Sequence, residues 1–176
     1  MSSPGNILLL TGTPGIGKTT VVKKVAASLA GLAITGFYTE EIRAQNGRQG
    51  FALVTLNGKR NVIAHLDIDS DWRVGKYGVD VAAIDQAVQA TLSETCGADL
   101  FIIDEIGKME CFSRLFVQKM TMLLDSGKPV VATIALKGNG FIETVKQRPG
   151  IVLWEITKKN RESMVVKVLE WVKRRS

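Results

Sequence analysis

Eight consecutive residues near the start of the chain have the types and spacing to hold a triphosphate. Gly12-Thr13-Pro14-Gly15-Ile16-Gly17-Lys18-Thr19 satisfies the pattern G-x-x-x-x-G-K-[ST] in full. Its glycines let the backbone curl so that successive N–H groups aim at phosphate oxygens. A helix expected to open at Lys18 adds unpaired N–H donors and the positive end of its dipole. Lys18 brings a charge to the β- and γ-phosphates, and the Thr19 hydroxyl is placed to coordinate magnesium. Thr20 can donate to the α-phosphate, and reads equally well as a plain helix residue.

A second block supplies the acids. Leu100-Phe101-Ile102-Ile103-Asp104-Glu105 is an apolar strand ending in two carboxylates, the Walker B pattern that accompanies a phosphate loop (Walker A). Asp104 is expected to hold magnesium, through water, opposite Thr19. Glu105 is the candidate base that orients an attacking water, so Lys18 and Glu105 form the expected catalytic pair. Weaker candidates surround them. Thr133 is either a polar sensor of the γ-phosphate or a core threonine. Lys108 and Glu110 either face the site or belong to a solvated loop. Arg43, Arg48, Arg73, Arg148 and Arg161 are the candidates for a charge-neutralising arginine, and the sequence does not choose among them. Arg161 follows the last strand, at an edge where a base is often held.

The elements that must position these groups alternate. Asn6–Leu10 is a short buried strand between Gly5 and Gly12, followed by a helix from Lys18 to Ala30 with Val22, Val25 and Leu29 inward. Phe37–Ile42 and Phe51–Leu56 read as strands joined across Gln45-Asn46-Gly47, a hairpin signal. Asn57-Gly58-Lys59 then turns into Asn61–His65, giving an antiparallel meander at about 36–66. Asp80 caps a helix from Val81 to about Glu94, with Val81, Ile84, Val88 and Leu92 on one face. Leu100–Ile103 is apolar throughout, as a central parallel strand would be. A helix over Ser113–Asp125 buries Phe116, Met120 and Leu123. Pro129–Ile134 is the next strand, Gly140–Gln147 a short helix, and Ile151–Ile156 the last strand. Asn160 is expected to cap a final helix with Val165, Val168, Leu169 and Val172 buried. Strands alternating with helices predict an α/β fold, a mostly parallel sheet covered on both faces, with ligands at the edge where the strands end.

The chain has 176 residues and is 45% hydrophobic, which suits one globular domain over 1–176. Its apolar runs are too short to span a bilayer, and the run Ile7–Leu10 is too short for a signal-peptide core, so a cytoplasmic protein is expected. Two cysteines, Cys96 and Cys111, and one histidine, His65, cannot build a zinc site. The thiols are expected to be reduced and structural, and His65 to end a strand. The net charge of +6 suits a polyphosphate ligand as well as nucleic acid. The basic residues are scattered apart from Lys173-Arg174-Arg175, so charge does not select nucleic acid. Oligomeric state is not encoded in any motif.

Several longer stretches resemble one family. Gly36-Phe37-Tyr38-Thr39-Glu40-Glu41-Ile42-Arg43, Gly47-Arg48-Gln49-Gly50-Phe51, Arg73-Val74-Gly75-Lys76-Tyr77-Gly78-Val79-Asp80, Asp104-Glu105-Ile106-Gly107-Lys108-Met109-Glu110 and Thr157-Lys158-Lys159-Asn160-Arg161 are similar to the small nucleoside-triphosphatases first catalogued from thermophiles, a group with a human cancer-related member. The resemblance runs over nearly the whole chain. It implies a P-loop NTPase three-layer fold of RecA-like or kinase-like type and slow, magnesium-dependent hydrolysis of several nucleoside triphosphates to diphosphates. It also implies nucleotide contact at Gly12–Thr19 and at Asp104, Glu105, Ile106, Gly107 and Lys108. One departure stands out: Ile134-Ala135-Leu136-Lys137-Gly138 lacks the His-Arg pair expected in some members. Two other functions fit the same loop. One is a nucleotide or nucleoside kinase, which needs a second pocket and usually an arginine-bearing lid. The other is a nucleotide-gated binding module in which slow hydrolysis acts as a timer.

Overall fold

The computed structural model describes residues 5–93 and 96–176. The elements run β1 (Ile7–Thr11), α1 (Lys18–Ser28), β2 (Ile34–Ala44), β3 (Gly47–Thr55), β4 (Arg60–His65), β5 (Arg73–Val74), β6 (Tyr77–Val79), α2 (Val81–Thr91), β7 (Leu100–Ile106), a 3₁₀ turn (Glu110–Phe112), α3 (Arg114–Asp125), β8 (Val130–Ile134), α4 (Phe141–Lys146), β9 (Ile151–Glu155) and α5 (Arg161–Lys173). Among the described residues the strands form one nine-stranded sheet in the order β5-β6-β4-β3-β2-β7-β8-β1-β9.

Five of these strands, β2, β7, β8, β1 and β9, run parallel to one another. Their residues alternate between the two faces because successive side chains in a strand point oppositely. Leu9, Phe101, Ile103, Val130 and Ala132 face one core, which α2, α3 and α4 cover with Ile84, Val88, Phe116, Met120, Ile142 and Val145. Leu8, Leu10, Leu100, Ile102 and Val131 face the other, which α1 and α5 cover with Val22, Val25, Met164, Val168 and Val172. The unbroken apolar runs of β1, β7 and β8 thus follow from burial on both sides. All five strands end along one edge, where the glycine loop and the start of α1 meet the end of β7.

The antiparallel half is the meander. β2 continues past its parallel partner and pairs with β3 from Phe37 to Ala44, turning at Gln45-Asn46. β4 adds on the far side of β3. β5 and β6 extend it as a small hairpin that the sequence pattern did not reveal. Its strands have only two and three residues, too few for a period-2 signal.

The caps divide. Asp80 accepts from the Ala83 N–H at 3.0 Å, as expected. Asn160 does not cap α5. Its Oδ1 instead accepts from the Thr157 N–H at 2.8 Å and its Nδ2 donates to the Glu155 carbonyl at 2.9 Å, so the amide ties the loop leading into the helix. The expected end of α2 at Glu94 lies outside the described residues. Its described part ends at Thr91, beside the buried Leu92. Among the described residues no helix is long and apolar enough to cross a membrane.

Gly36 is a tight joint between β2 and β7. Its φ is +131°, and a Cβ there would lie 1.8 Å from the Ile102 carbonyl oxygen of β7. Only glycine permits that approach. Gly36→Ala is expected to lower the unfolding free energy by about 2–4 kcal/mol, from backbone strain and overpacking together. A urea unfolding curve checks this, and an unchanged midpoint would show that the two strands do not approach so closely.

Candidate functional site

The glycine loop leaves β1 and returns as α1. Thr13, Pro14 and Gly15 are exposed, while Ile16 is buried among α5 and core residues and anchors the loop from beneath. The Ile16 N–H donates to the Thr13 carbonyl at 3.1 Å, closing the curl. Gly17, at φ +112°, opens the helix in a conformation that a side chain would strain. Lys18 lies over its own loop, donating to the Gly12 carbonyl at 3.0 Å. Its ammonium is 3.9 Å from Glu105 Oε2, so the expected catalytic pair sits together.

Opposite stands Asp104, 1% exposed. Three elements point donors at it. Thr19 Oγ1 donates to Oδ2 at 2.8 Å from α1, the Thr39 N–H donates to Oδ2 at 3.1 Å from β2, and Thr133 Oγ1 donates to Oδ1 at 2.6 Å from β8. Thr39 Oγ1 also donates to the Asp104 carbonyl at 2.7 Å. Burial pushes the Asp104 carboxyl upward, while the bonds from Thr133, Thr19 and Thr39 and the charge of Lys18 pull it back. Thr133 therefore serves Asp104 directly. Thr39 was not anticipated as a site residue. Its only sequence signal was membership of the Gly36–Arg43 block, because a threonine in a strand is otherwise unremarkable.

This donor set fits magnesium. The Thr19 proton is committed to Asp104, so the hydroxyl lone pairs are free to face a cation, and both groups are hard oxygens. Among the described residues there is no cluster of three His, Cys, Asp or Glu side chains that would make an all-protein cage. Magnesium characteristically needs none, taking one or two protein oxygens with phosphate and water.

Glu105 is half-buried near the end of β7, beyond a cis Asp104–Glu105 peptide. Burial raises its carboxyl, Lys18 lowers it and the Asp104 charge raises it again. Ile106 and Gly107 are buried, the first in the core under the turn. Glu110 does not belong to a solvated loop, and its carboxyl lies beside that of Glu105. It is 2% exposed, and its carboxyl and that of Glu105 crowd the same side of Gly107, where a Cβ would lie 2.8 Å from Glu105 Oε1 and 3.0 Å from Glu110 Oε2. Burial first, then the neighbouring Glu105 charge, pushes the Glu110 carboxyl up to about 8. The apolar neighbours Met109, Cys111 and Phe112 were the sequence signal that this acid is interior. Cys111 is a free thiol pushed up to about 12 by burial, and Cys96 is free and exposed.

The five candidate arginines separate. Arg43 and Arg48 both pair with Glu41, and Arg48 also donates to the Tyr77 hydroxyl at 3.1 Å. Arg73 donates to the Lys76 carbonyl and Arg148 pairs with Asp125. Arg161 of the five borders the glycine loop. It lines a cavity of about 150 Å³ with Ile16, Gly17, Thr20 and Lys24. A larger cavity, about 460 Å³, opens farther along the same edge and contains no glycine-loop residue. The exposed Lys108 lines that one.

A glycine loop between a strand and a helix, facing a strand-end aspartate on a parallel sheet, defines a P-loop nucleotide-binding protein of the α/β class. Within that class the chain belongs to the NTPase family, whose sequence model matches residues 7–169. It is 40% identical over 167 residues to the nucleoside-triphosphatase THEP1 of Thermotoga maritima, covering 94% of this chain and 95% of that protein. It is 35% identical over 181 residues to the human cancer-related nucleoside-triphosphatase, covering 94% and 95%. The crystal structure of THEP1 from the hyperthermophile Aquifex aeolicus superposes with a TM-score of 0.87 at 34% identity, over 94% of this chain and 98% of that one. The solution structure of the human protein gives 0.82 at 34% identity, over 97% and 98%.

Glu110 carries a stability prediction. An unfolded glutamate titrates near 4.5 and the folded one near 8. The folded state holds the proton more tightly, so the stabilisation is complete below about 4.5 and is lost as pH rises through about 8. Unfolding free energy measured in a metal chelator is expected to fall from pH 6 to pH 9 in the wild type, and to fall less in Glu110→Gln. Parallel profiles would mean that Glu110 is ionised in the fold.

Proposed function

We propose that this protein is a magnesium-dependent nucleoside-triphosphatase that converts ATP, GTP and other nucleoside triphosphates to diphosphate and phosphate, slowly and with little preference for the base. The observation that carries the reading is the Asp104 carboxylate, bonded to Thr19 at the mouth of a glycine loop whose lysine lies 3.9 Å from Glu105. The names of the relatives, nucleoside-triphosphatases in both bacteria and mammals, agree with it.

In this reading the backbone N–H groups of Gly15, Gly17, Lys18 and Thr19, at the start of α1, bind the phosphate oxygens. Lys18 turns from the Gly12 carbonyl to the γ-phosphate. Thr19 and Asp104 would hold magnesium, which would supply charge neutralisation to the phosphates. Glu105 orients the attacking water and accepts its proton. The raised carboxyl suits that role, since a general base works best when its pKa approaches the working pH. Activity should therefore fall on the acid side at a higher pH than an ordinary glutamate would give. Base tolerance follows from contacts that reach the phosphates through the glycine loop, Lys18 and Thr19. Slowness follows from the arginines. Four are engaged elsewhere, and an arginine on the transferring phosphoryl group is worth roughly 10³–10⁵ in rate.

Transfer to an acceptor other than water is favoured by one observation, the 460 Å³ cavity at the same sheet edge.

Phosphate release from ATP, GTP, CTP and UTP, with no acceptor added, tests the main reading. Release should require magnesium and occur with all four. Glu105→Gln should lower kcat by about 10²–10⁴ while nucleotide affinity is kept, and Lys18→Ala should lose both. Normal turnover in Glu105→Gln would remove Glu105 from the mechanism.

A further inference from the structure

The larger cavity is walled by two turns that leave adjacent strand ends. Lys108, Cys111 and Phe112 come from the turn after β7, and Ala135 and Lys137 from the loop after β8, with Phe141 and Ile142 from the start of α4. Its volume, about 460 Å³, lies within the range of ordinary small-molecule sites. The adjoining strand ends already carry the triphosphate chemistry. Lys108 is three residues beyond Glu105, and Ala135 is two beyond Thr133. A ligand here would sit beside the phosphate site without occupying the glycine loop.

The lining has two chemistries. Lys108 and Lys137 are exposed, and neither makes a hydrogen bond or ion pair with another described residue. No carboxylate is among the lining residues. The nearby Lys146 differs, because it is satisfied by Glu143 and the Leu136 carbonyl. Glu110, behind the turn, is buried and is not among the lining residues. The rest of the wall is apolar. Phe112 and Phe141 are half-buried and line the cavity together with Ile142. Trp72, 50% exposed, stacks on Phe112 with ring centroids 5.1 Å apart, and so prolongs the aromatic wall outward.

We propose that this cavity is a second ligand site, taking a small aromatic phosphomonoester whose phosphate is held by Lys108 and Lys137 and whose ring lies against Phe112 and Phe141. A phosphomonoester carries about −1.5 to −2 charges at neutral pH, which matches two unneutralised ammonium groups. A flat ring uses an aromatic wall better than an aliphatic body of equal size. The site is separate from that of the triphosphate, so both ligands bind together. This stands beside the nucleotide reading and does not require that hydrolysis occur.

The probe is AMP, with adenosine and inorganic phosphate as its two halves. The protein is first saturated with magnesium and a non-hydrolysable ATP analogue, whose own binding is measured separately. AMP should then bind with one-to-one stoichiometry by calorimetry and alter the Trp72 emission, with adenosine and phosphate each binding more weakly. Lys137→Glu, at an exposed and unpaired position, should weaken AMP roughly tenfold or more, as expected for loss of a charge-assisted contact. Its affinity for the analogue should not change. Displacement of AMP by the analogue, AMP binding unaffected by Lys137→Glu, or no AMP binding at all would overturn the proposal. Should the analogue itself fail to bind, the nucleotide reading is what falls. The same AMP titration on the unloaded protein and on Lys137→Glu then decides the second site alone.

Discussion

The structure turns on one buried carboxylate. Asp104 is withdrawn from water at the end of β7 and receives hydrogen bonds from α1, β2 and β8 at once. Burying an ionised carboxylate is costly unless its lone pairs are met. Here they are met by two hydroxyls and one amide, all uncharged, with Lys18 contributing only at a distance. Neutral donors fix the position of the charge without cancelling it. In the proposed reading a cation would complete that balance, and the three hydrogen bonds are why a helix, a parallel strand and the strand that begins the meander all arrive at the same point.

The two cores exist to hold that point still. Alternating residues of β1, β7 and β8 feed an apolar layer on each face, so the strands cannot slip in register without turning one layer outward. Gly36 lets β2 approach β7 closely enough for Thr39 to reach Asp104 from the next turn of the strand. The loops at the strand ends are then free to vary in chemistry. The glycine loop presents backbone, the turn after β7 presents a lysine, and the loop after β8 presents a lysine and glycines.

Much of this was legible in the residues. The glycine loop, the apolar strand ending at Asp104 and the alternation of strands with helices each have a strong local pattern, and the Lys18–Glu105 proximity follows from putting both at one sheet edge. The contacts that complete the site were less visible, because hydrogen bonds between distant strands leave no periodic trace. Thr39 lies 65 residues from Asp104 in the chain. Thr133 was visible as a polar residue in an apolar strand, but its partner was not. Asn160 has the right type and place for a helix cap, yet the Thr157 N–H and Glu155 carbonyl compete for it and win. Glu110 was ambiguous because an acid in a short turn is usually solvated, and only its burial in the folded chain decides otherwise. The hairpin of β5 and β6 is too short to show a pattern of its own.

The central claim is that Asp104 is held ready for a cation. It is tested most directly by measuring the affinity of a non-hydrolysable ATP analogue with and without magnesium, in the wild type and in Asp104→Asn. Asparagine keeps the size of the side chain and removes its charge. The account predicts that magnesium tightens binding in the wild type and has little effect in the variant. An equal magnesium effect in both proteins would contradict it.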